Sequence, residues 1–272
     1  MKHYTLSGVP MPALGLGTYQ LRGDAARRAV AHALGAGYRH LDTAQIYDNE
    51  AAVGAGLRDA AVDRDEVFLT TKVWHTALAH ADVLRTTDES LRRLGVDRVD
   101  LLLMHWPTPD VPLAETLGAL QEVRAAGKAR LIGVSNTPPA MLERALALVP
   151  DLATDQVEHH VFLGQPDILN TVRAHGMVLT SYSPVAQGAA MRDATVQDIA
   201  AAHGATPAQV ALAWLLAQDR VAAIPRSSSA EHREANLAAA RLTLTGDDLA
   251  RLDALPKGRR LVDPAFAPDW ND

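Results

Sequence analysis

Four polar side chains, Asp42, Tyr47, Lys72 and His105, stand at or just past the ends of three short apolar runs, YRHLDTAQIY, VFLTTK and VDLLLMH. Their types suit the protonation of a carbonyl. A tyrosine phenol titrates near 10 and is a poor acid at neutral pH, but a nearby ammonium favours the phenolate and lowers that value, which is the part Lys72 is equipped to play. A buried lysine tends to lose its own proton unless a carboxylate holds it, and Asp42 is the carboxylate at a neighbouring run end. His105 brings a ring N–H that can aim at a developing oxyanion or shuttle a proton. Each residue alone has a plainer reading. Asp42 in LDTA would serve to cap a following helix, Lys72 would be a solvated strand-end charge, Tyr47 a core residue, and His105 a hydrogen-bonded core histidine. Only their joint placement favours chemistry.

For residues so far apart to meet, strand ends must converge. Apolar runs bounded by turn residues fall at 13–17, 38–42, 67–72, 99–105, 130–135, 152–157, 177–182 and 221–225, eight in all. Between them lie stretches of helical period such as DAARRAVAHALGAG, DVLRTTDESLRRLG, LAETLGALQEVRAAG, PAMLERALALV and PDILNTVRAHG, several opened by Asp or Pro and closed by Gly. Eight units in this length leave about 34 residues each, enough for a strand, a helix and two short connections. No sequence motif recurs at that period. The pattern predicts an α/β fold, a single (β/α)8 TIM-barrel domain over 1–272 with a short N-terminal hairpin, its active site at the carboxyl ends of the strands. The rival doubly wound sheet needs a Gly-rich loop after its first strand. Gly15 and Gly17 supply G-x-G, but Gln20 stands where the third glycine belongs, so close backbone packing explains the two glycines better.

The other strand ends are polar as well: Ser135 and Asn136 after the fifth run, Gln156 in the sixth, Tyr182 and Ser183 at the seventh, Arg226 and Ser227 after the eighth. Composition sets the frame. Hydrophobic residues make up 48% and charged residues 21% of 272, ordinary for a globular chain with a large core. The net charge of −6, without a dense basic cluster, disfavours nucleic acid as a partner. No cysteine is present, so no disulfide framework or thiolate chemistry is available. Gly and Pro interrupt MKHYTLSGVPMPALGLG, and no later stretch approaches about 18 uninterrupted apolar residues, so a cytoplasmic protein without a membrane partner is expected.

Read in order, GYRHLDTAQIYDNEAAVG, TTKVW, LLLMHWP, IGVSN, TSYSPVAQG and IPRSSS resemble the aldo-keto reductase family over nearly the whole chain. The ending RLVDPAFAPDW is most similar to that of the small bacterial members described as 2,5-diketo-D-gluconate or methylglyoxal reductases. The resemblance implies an NADP-dependent oxidoreductase: a barrel that binds extended NADPH without a Rossmann domain and reduces aldehydes or ketones, a monomer acting on a small-molecule carbonyl. Tyr47 is then the general acid, Lys72 and Asp42 its tuning pair, and His105 the residue that orients the carbonyl, with no metal. Ser135, Asn136 and Gln156 fall where the family holds the nicotinamide carboxamide, and Tyr182, followed by Ser183, where a ring stacks on the nicotinamide. Gly17, Thr18 and Asp42 border the same seat. Arg226, Ser227 and Asn236, with Arg233 between them, match the stretch that grips the adenosine end and its 2′-phosphate. Two departures stand out. His232 takes the place of the family's usual arginine, with Arg233 one position later, which weakens the phosphate grip, and Arg226 replaces the common lysine while offering a bidentate pair to phosphate. Tyr19 stands where many relatives carry tryptophan at the pocket wall, joined there by Trp74, Trp106 and Trp270. The loops TPDVPLAETL and SPVAQGAAMRDAT and the tail RLVDPAFAPDWND are short, which predicts a shallow, open pocket for small dicarbonyls, keto sugars or simple aldehydes.

Three other readings compete. A Schiff-base aldolase would use Lys72 as its nucleophile, with Tyr47 and Asp42 moving protons. A metal-dependent hydrolase would recruit His105 with His159 and His160, although adjacent strand residues point to opposite faces. A non-catalytic NADPH-sensing subunit would need no intact quartet.

Overall fold

The computed structural model describes residues 2–270; Met1, and with it Asn271 and Asp272 at the end of the expected tail and of the 1–272 domain, lie outside the described residues. The chain opens with an antiparallel hairpin of β1 (His3–Leu6) and β2 (Val9–Pro12). Its two-residue loop, Ser7 and Gly8, takes positive φ at both positions, 45° and 80°, the twist that matches a tight hairpin.

Eight parallel strands follow, each bonded to the next in chain order: β3 (Leu16–Gly17), β4 (His40–Asp42), β5 (Phe68–Val73), β6 (Val99–Met104), β7 (Ala129–Ser135), β8 (Thr154–Glu158), β9 (Val178–Tyr182) and β10 (Val221–Ala223). The sheet closes on itself. Gly15 N–H donates to the Ala223 carbonyl at 2.9 Å, Ala223 N–H to Ala13 at 2.8 Å and Gly17 N–H to Pro225 at 3.1 Å. The expected (β/α)8 barrel is therefore what the chain forms. Its first strand is shorter in the ladder than the expected 13–17, because the segment before Leu16 touches β10 through a single bridge at Leu14. The glycines there serve packing: a Cβ on Gly15 would sit 2.7 Å from the His40 ring, and one on Gly17 2.6 Å from the Ile224 carbonyl oxygen.

Helices α1 (Gly23–Ala36), α2 (Glu50–Asp59), α3 (His80–Leu94), α4 (Leu113–Ala125), α5 (Pro139–Leu148), α6 (Pro166–Ala174), α7 (Ala194–Ala202), α8 (Pro207–Ala217) and α9 (Ala230–Ala238) run between or after the strands, with α10 (Gly246–Asp253) before the tail. Among the described residues no single helix is long and apolar enough to cross a membrane.

Alternation along the strands divides the buried side chains into two cores. Phe68, Leu101, Leu103, Leu131, Val178 and Ala222 cluster with Tyr4, Leu6, Val9 and Met11 of the hairpin, which plugs the amino end of the barrel. Leu41, Leu69, Leu102, Ile132, Val157 and Leu179, of the opposite parity, pack against the helices. Following the inward parity toward the carboxyl ends gives His40 then Asp42, Thr70 then Lys72, Leu103 then His105, and Thr154, Gln156 and Glu158. The period of two that fills the barrel with hydrocarbon also delivers its polar residues to one mouth.

Asp155, of outward parity on β8, breaks the apolar rule. It is fully buried, and neither carboxyl oxygen accepts a hydrogen bond of good geometry. Burial pushes its pKa well above the carboxylate range, opposed by the Thr137 backbone amide. The sign follows from linkage: the unfolded chain releases this proton near pH 4 while the folded one keeps it, so Asp155 costs stability progressively as pH rises toward its raised folded pKa. Asp155→Asn should raise the thermal midpoint at neutral pH, by about 2–4 °C per kcal/mol recovered, and leave it unchanged near pH 3; scanning calorimetry across pH checks this, and an unchanged midpoint at pH 7 would refute it.

Candidate active site

Asp42 and Lys72 end adjacent strands, and both are buried. The Lys72 ammonium donates to Asp42 Oδ1, to the Thr43 carbonyl at 2.9 Å and to the Tyr47 phenol oxygen at 3.4 Å. The other Asp42 oxygen accepts from Gln156 Nε2 at 2.7 Å. Asp42 therefore caps no helix, and Lys72 is no solvated charge. With its donors committed to three oxygens and its side chain fully buried, Lys72 cannot present a free amine to a carbonyl, which removes the basis for the aldolase reading.

Tyr47 sits on a single 3₁₀ turn, Gln45–Tyr47, with Asp48 after it at φ 52°. Polar ties fix this turn. Gln45 donates to the Thr86 carbonyl and to Ser90 Oγ, both at 3.1 Å, and accepts from Trp74 N–H at 3.2 Å. Asn49 donates to the carbonyls of Thr18 and Leu21, both at 2.9 Å, and accepts from Thr43 at 2.7 Å. Thr18 in turn donates its hydroxyl to the Asp42 carbonyl at 3.0 Å. His105 follows β6 and faces Tyr47 edge-on, ring centroids 5.7 Å apart.

Electrostatics correct one expectation. The Tyr47 pKa is raised well above 10, first by burial and then by the charge of Asp42 and by Tyr19. The expected lowering by Lys72 does not occur, because that ammonium is drawn to Asp42 in direct contact and the carboxylate offsets its field. Tyr47 is thus a protonated phenol. Burial, then the Lys72 charge and His75, hold His105 well below its ordinary 6.5, so the ring is neutral, a state that suits an N–H donor better than a charged proton shuttle. Burial also lowers Lys72, with Asp42 pulling the other way.

The residues expected to hold a nicotinamide lie beside the quartet. Asn136, at φ 58°, donates to the His105 carbonyl at 2.9 Å and accepts from the Tyr182 hydroxyl at 2.7 Å. Ser135 Oγ donates to the Gln156 carbonyl at 2.7 Å. Gln156 thus joins the two sets, a link that residue types alone do not reveal. Tyr182 and Ser183 are half-buried at the mouth. On the far side of β3, Arg226 is exposed and donates to Gln20 Oε1 at 2.6 Å. Arg233 is buried and bonded to the Ser227 carbonyl at 3.2 Å and to His32 at 3.4 Å, and Asn236 is buried nearby on α9. An exposed guanidinium and a serine beside the amino end of α9, 9 residues long, form a donor set of the chemistry a phosphate takes. Half-exposed Tyr182 offers a ring face, so the residues present fit a nicotinamide dinucleotide.

The mouth is aromatic. Tyr19 is 57% exposed and packs on Tyr47 at 5.2 Å. Trp74 stands against His105 at 5.1 Å and Phe266 at 5.6 Å. Trp106 is buried under Phe266 and Trp270, so it backs the wall and is screened from the opening. Phe266, His75 and Glu158 were not anticipated. Only Glu158 had a legible signal, its shared parity with Gln156. His159 and His160 diverge: His159 contacts Ser181 Oγ at 3.2 Å and Trp214, and His160 donates to Glu158 at 2.9 Å. Neither joins His105, which ends the metal-hydrolase reading.

Comparison with known proteins agrees with this geometry. Residues 13–257 match the Aldo/keto reductase family. The chain is 41% identical over 266 residues to methylglyoxal reductase DkgB of Escherichia coli O157:H7, covering 96% of this chain and 99% of that one. It is 38% identical to morphine 6-dehydrogenase of Pseudomonas putida, covering 94% and 91%. Among solved structures, a putative 2,5-diketo-D-gluconic acid reductase B superposes with a TM-score of 0.95 at 43% identity, covering 99% and 98%.

Proposed function

The chain belongs to the aldo/keto reductase family and is an oxidoreductase acting on carbonyl groups, and from that premise we propose that it reduces small dicarbonyls and simple aldehydes to alcohols with NADPH, Tyr47 supplying the proton. The observation that carries the proposal is the continuous line from Gln156 through Asp42 and Lys72 to the Tyr47 phenol, with neutral His105 edge-on to it.

A bound nicotinamide supplies a hydride to the carbonyl carbon. The protein's own groups handle the oxygen. His105, neutral, donates its ring N–H toward the carbonyl oxygen and orients it. Tyr47, protonated at rest, gives its proton as negative charge builds on that oxygen. The phenolate so formed lies 3.4 Å from the Lys72 ammonium, which favours it at that moment. Lys72 therefore acts on the transition state and not on the resting phenol, an interaction of the kind that raises turnover. Asp42 keeps Lys72 charged, and Gln156 keeps Asp42 in place. Ser135, Asn136 and Gln156 would hold the carboxamide, Tyr182 would offer its ring face with Ser183 beside it, Gly17 and Thr18 would border that end, and Arg226 and Ser227 would take the 2′-phosphate, with Asn236 toward the adenosine and Arg233, buried and bonded to the Ser227 carbonyl, backing them. Tyr19 and Trp74 line the substrate opening, backed by Trp106. The names of the relatives, one for methylglyoxal and one for 2,5-diketo-D-gluconic acid, support a small dicarbonyl.

Reduced-nicotinamide absorbance should fall when the protein meets NADPH and methylglyoxal; no turnover across a broad carbonyl panel would overturn the proposal. Cofactor choice rests on Arg226. Arg226→Ala should weaken NADPH binding about tenfold, the loss of one charge-assisted contact, and leave NADH binding unchanged in a fluorescence titration. Equal affinities of wild type for both cofactors would refute the preference.

A further inference from the structure

Glu158 is fully buried two residues beyond Gln156, and among the described residues no Lys or Arg side chain makes a salt bridge to it, the Arg260 charge acting on it from farther away. Its charge is held by the C-terminal tail and a neighbour instead. Oε1 accepts from Leu261 N–H at 2.9 Å and from His160 Nε2 at 2.9 Å, while Oε2 accepts from Val262 N–H at 2.9 Å and Leu261 N–H at 3.1 Å. His160 accepts the Phe162 N–H on Nδ1 at 3.2 Å, which leaves its proton on Nε2, facing Glu158. Just upstream, Lys257 Nζ donates to the Val161 carbonyl at 2.7 Å and Arg259 N–H to Phe162 at 2.9 Å. The tail is thus stitched to the loop after β8, and Glu158 fastens it from inside the barrel through two successive backbone N–H groups. Four residues past Val262, Phe266 stacks on His75 at 4.2 Å and stands edge-on to Trp74 and Trp106, both at 5.6 Å. Trp74 in turn rests on His105.

We infer that Glu158 is a positioning residue for substrate selection: it pins residues 261–262 so that Phe266 closes the apolar wall against Trp74 and His75. The inference rests on the reductase reading for what the wall faces, but the pinning itself does not. A single strand then carries both devices, Gln156 holding the proton-donor line and Glu158 the pocket wall. A carboxylate suits the post because two successive backbone N–H groups converge on it, and an amide would turn a donor toward them.

Two variants test this in the full-length protein. Glu158→Gln keeps the volume and removes the charge, and Leu261→Pro deletes one donor from the half-buried tail without touching the barrel. Both should speed hydrogen exchange in the peptide spanning 262–266 by about tenfold, the scale of one charge-assisted hydrogen bond. Both should also raise KM for benzaldehyde by a similar factor, with kcat and the NADPH dissociation constant within about twofold. Unchanged exchange and unchanged KM in the proline variant, which cannot fail through the barrel, would overturn the inference, as would equal losses of kcat and cofactor affinity in both. If Tyr47→Phe kept full activity the proton-donor reading would fall, while exchange at 262–266 would still decide the anchor.

Discussion

Lys72→Met should cost about 3–5 kcal/mol of folding stability, because it strands the Asp42 carboxylate in the barrel with its cation removed. At about 2–4 °C per kcal/mol, that lowers the thermal midpoint by roughly 6–20 °C. The same variant should lose carbonyl turnover by about 10²–10⁴, since the Tyr47 phenolate would form beside an uncompensated Asp42. The double variant Lys72→Met with Asp42→Leu supplies the internal check. Removing both charges should recover most of the stability and none of the turnover. Chemical denaturation and initial rates on both proteins separate the two effects; a Lys72→Met protein as stable as wild type would mean that the pair is not the buried, desolvated contact described above.

Tyr47→Phe should reduce kcat by about 10²–10⁴, the range a positioned general acid contributes, while stability and cofactor affinity stay near wild type. The phenol oxygen makes one long contact, 3.4 Å to Lys72, so little folding energy rides on it. The raised pKa of Tyr47 fixes the direction of the pH dependence: the acid stays protonated throughout the neutral range, so reduction should not lose rate between pH 6 and 9 through deprotonation of Tyr47. A fall in kcat centred well below 10 that Tyr47→Phe abolishes would show that Lys72 does lower the phenol after all.

Most of the site was legible because a barrel obeys a period of two. Once the runs ending at Asp42, Lys72 and His105 are taken as strands, each polar terminus has inward parity, and the closed sheet leaves it one place to go. The helix α2 was harder to see. Gly54 and Gly56 interrupt its pattern, because a Cβ on Gly54 would meet the Leu94 carbonyl oxygen at 2.0 Å and one on Gly56 the Arg27 carbonyl oxygen at 2.5 Å. Packing against α1 and the turn that ends α3 thus erased the signal that would have announced the helix. The Tyr47 pKa was misjudged for a different reason: residue types reveal that an ammonium and a carboxylate are near a phenol, but not that they touch each other first. The role of Glu158 was hidden because its partners are backbone amides 103 residues away, and backbone donors leave no mark in composition. The burial of Trp106 likewise depends on Phe266 and Trp270 of the tail, whose path over the mouth no local pattern encodes.

Under the proposed function a hydride passes from a nicotinamide to a carbonyl carbon at this mouth while Tyr47 protonates the oxygen. Its most direct test is a label transfer. The protein, given NADPH carrying deuterium at the transferable position and methylglyoxal, should yield an alcohol with one deuterium on the new carbinol carbon for each cofactor oxidised, and Tyr47→Phe with the same cofactor bound should yield almost none in the same time. Product without deuterium, or a lysine adduct trapped by borohydride with no cofactor consumed, would contradict the account.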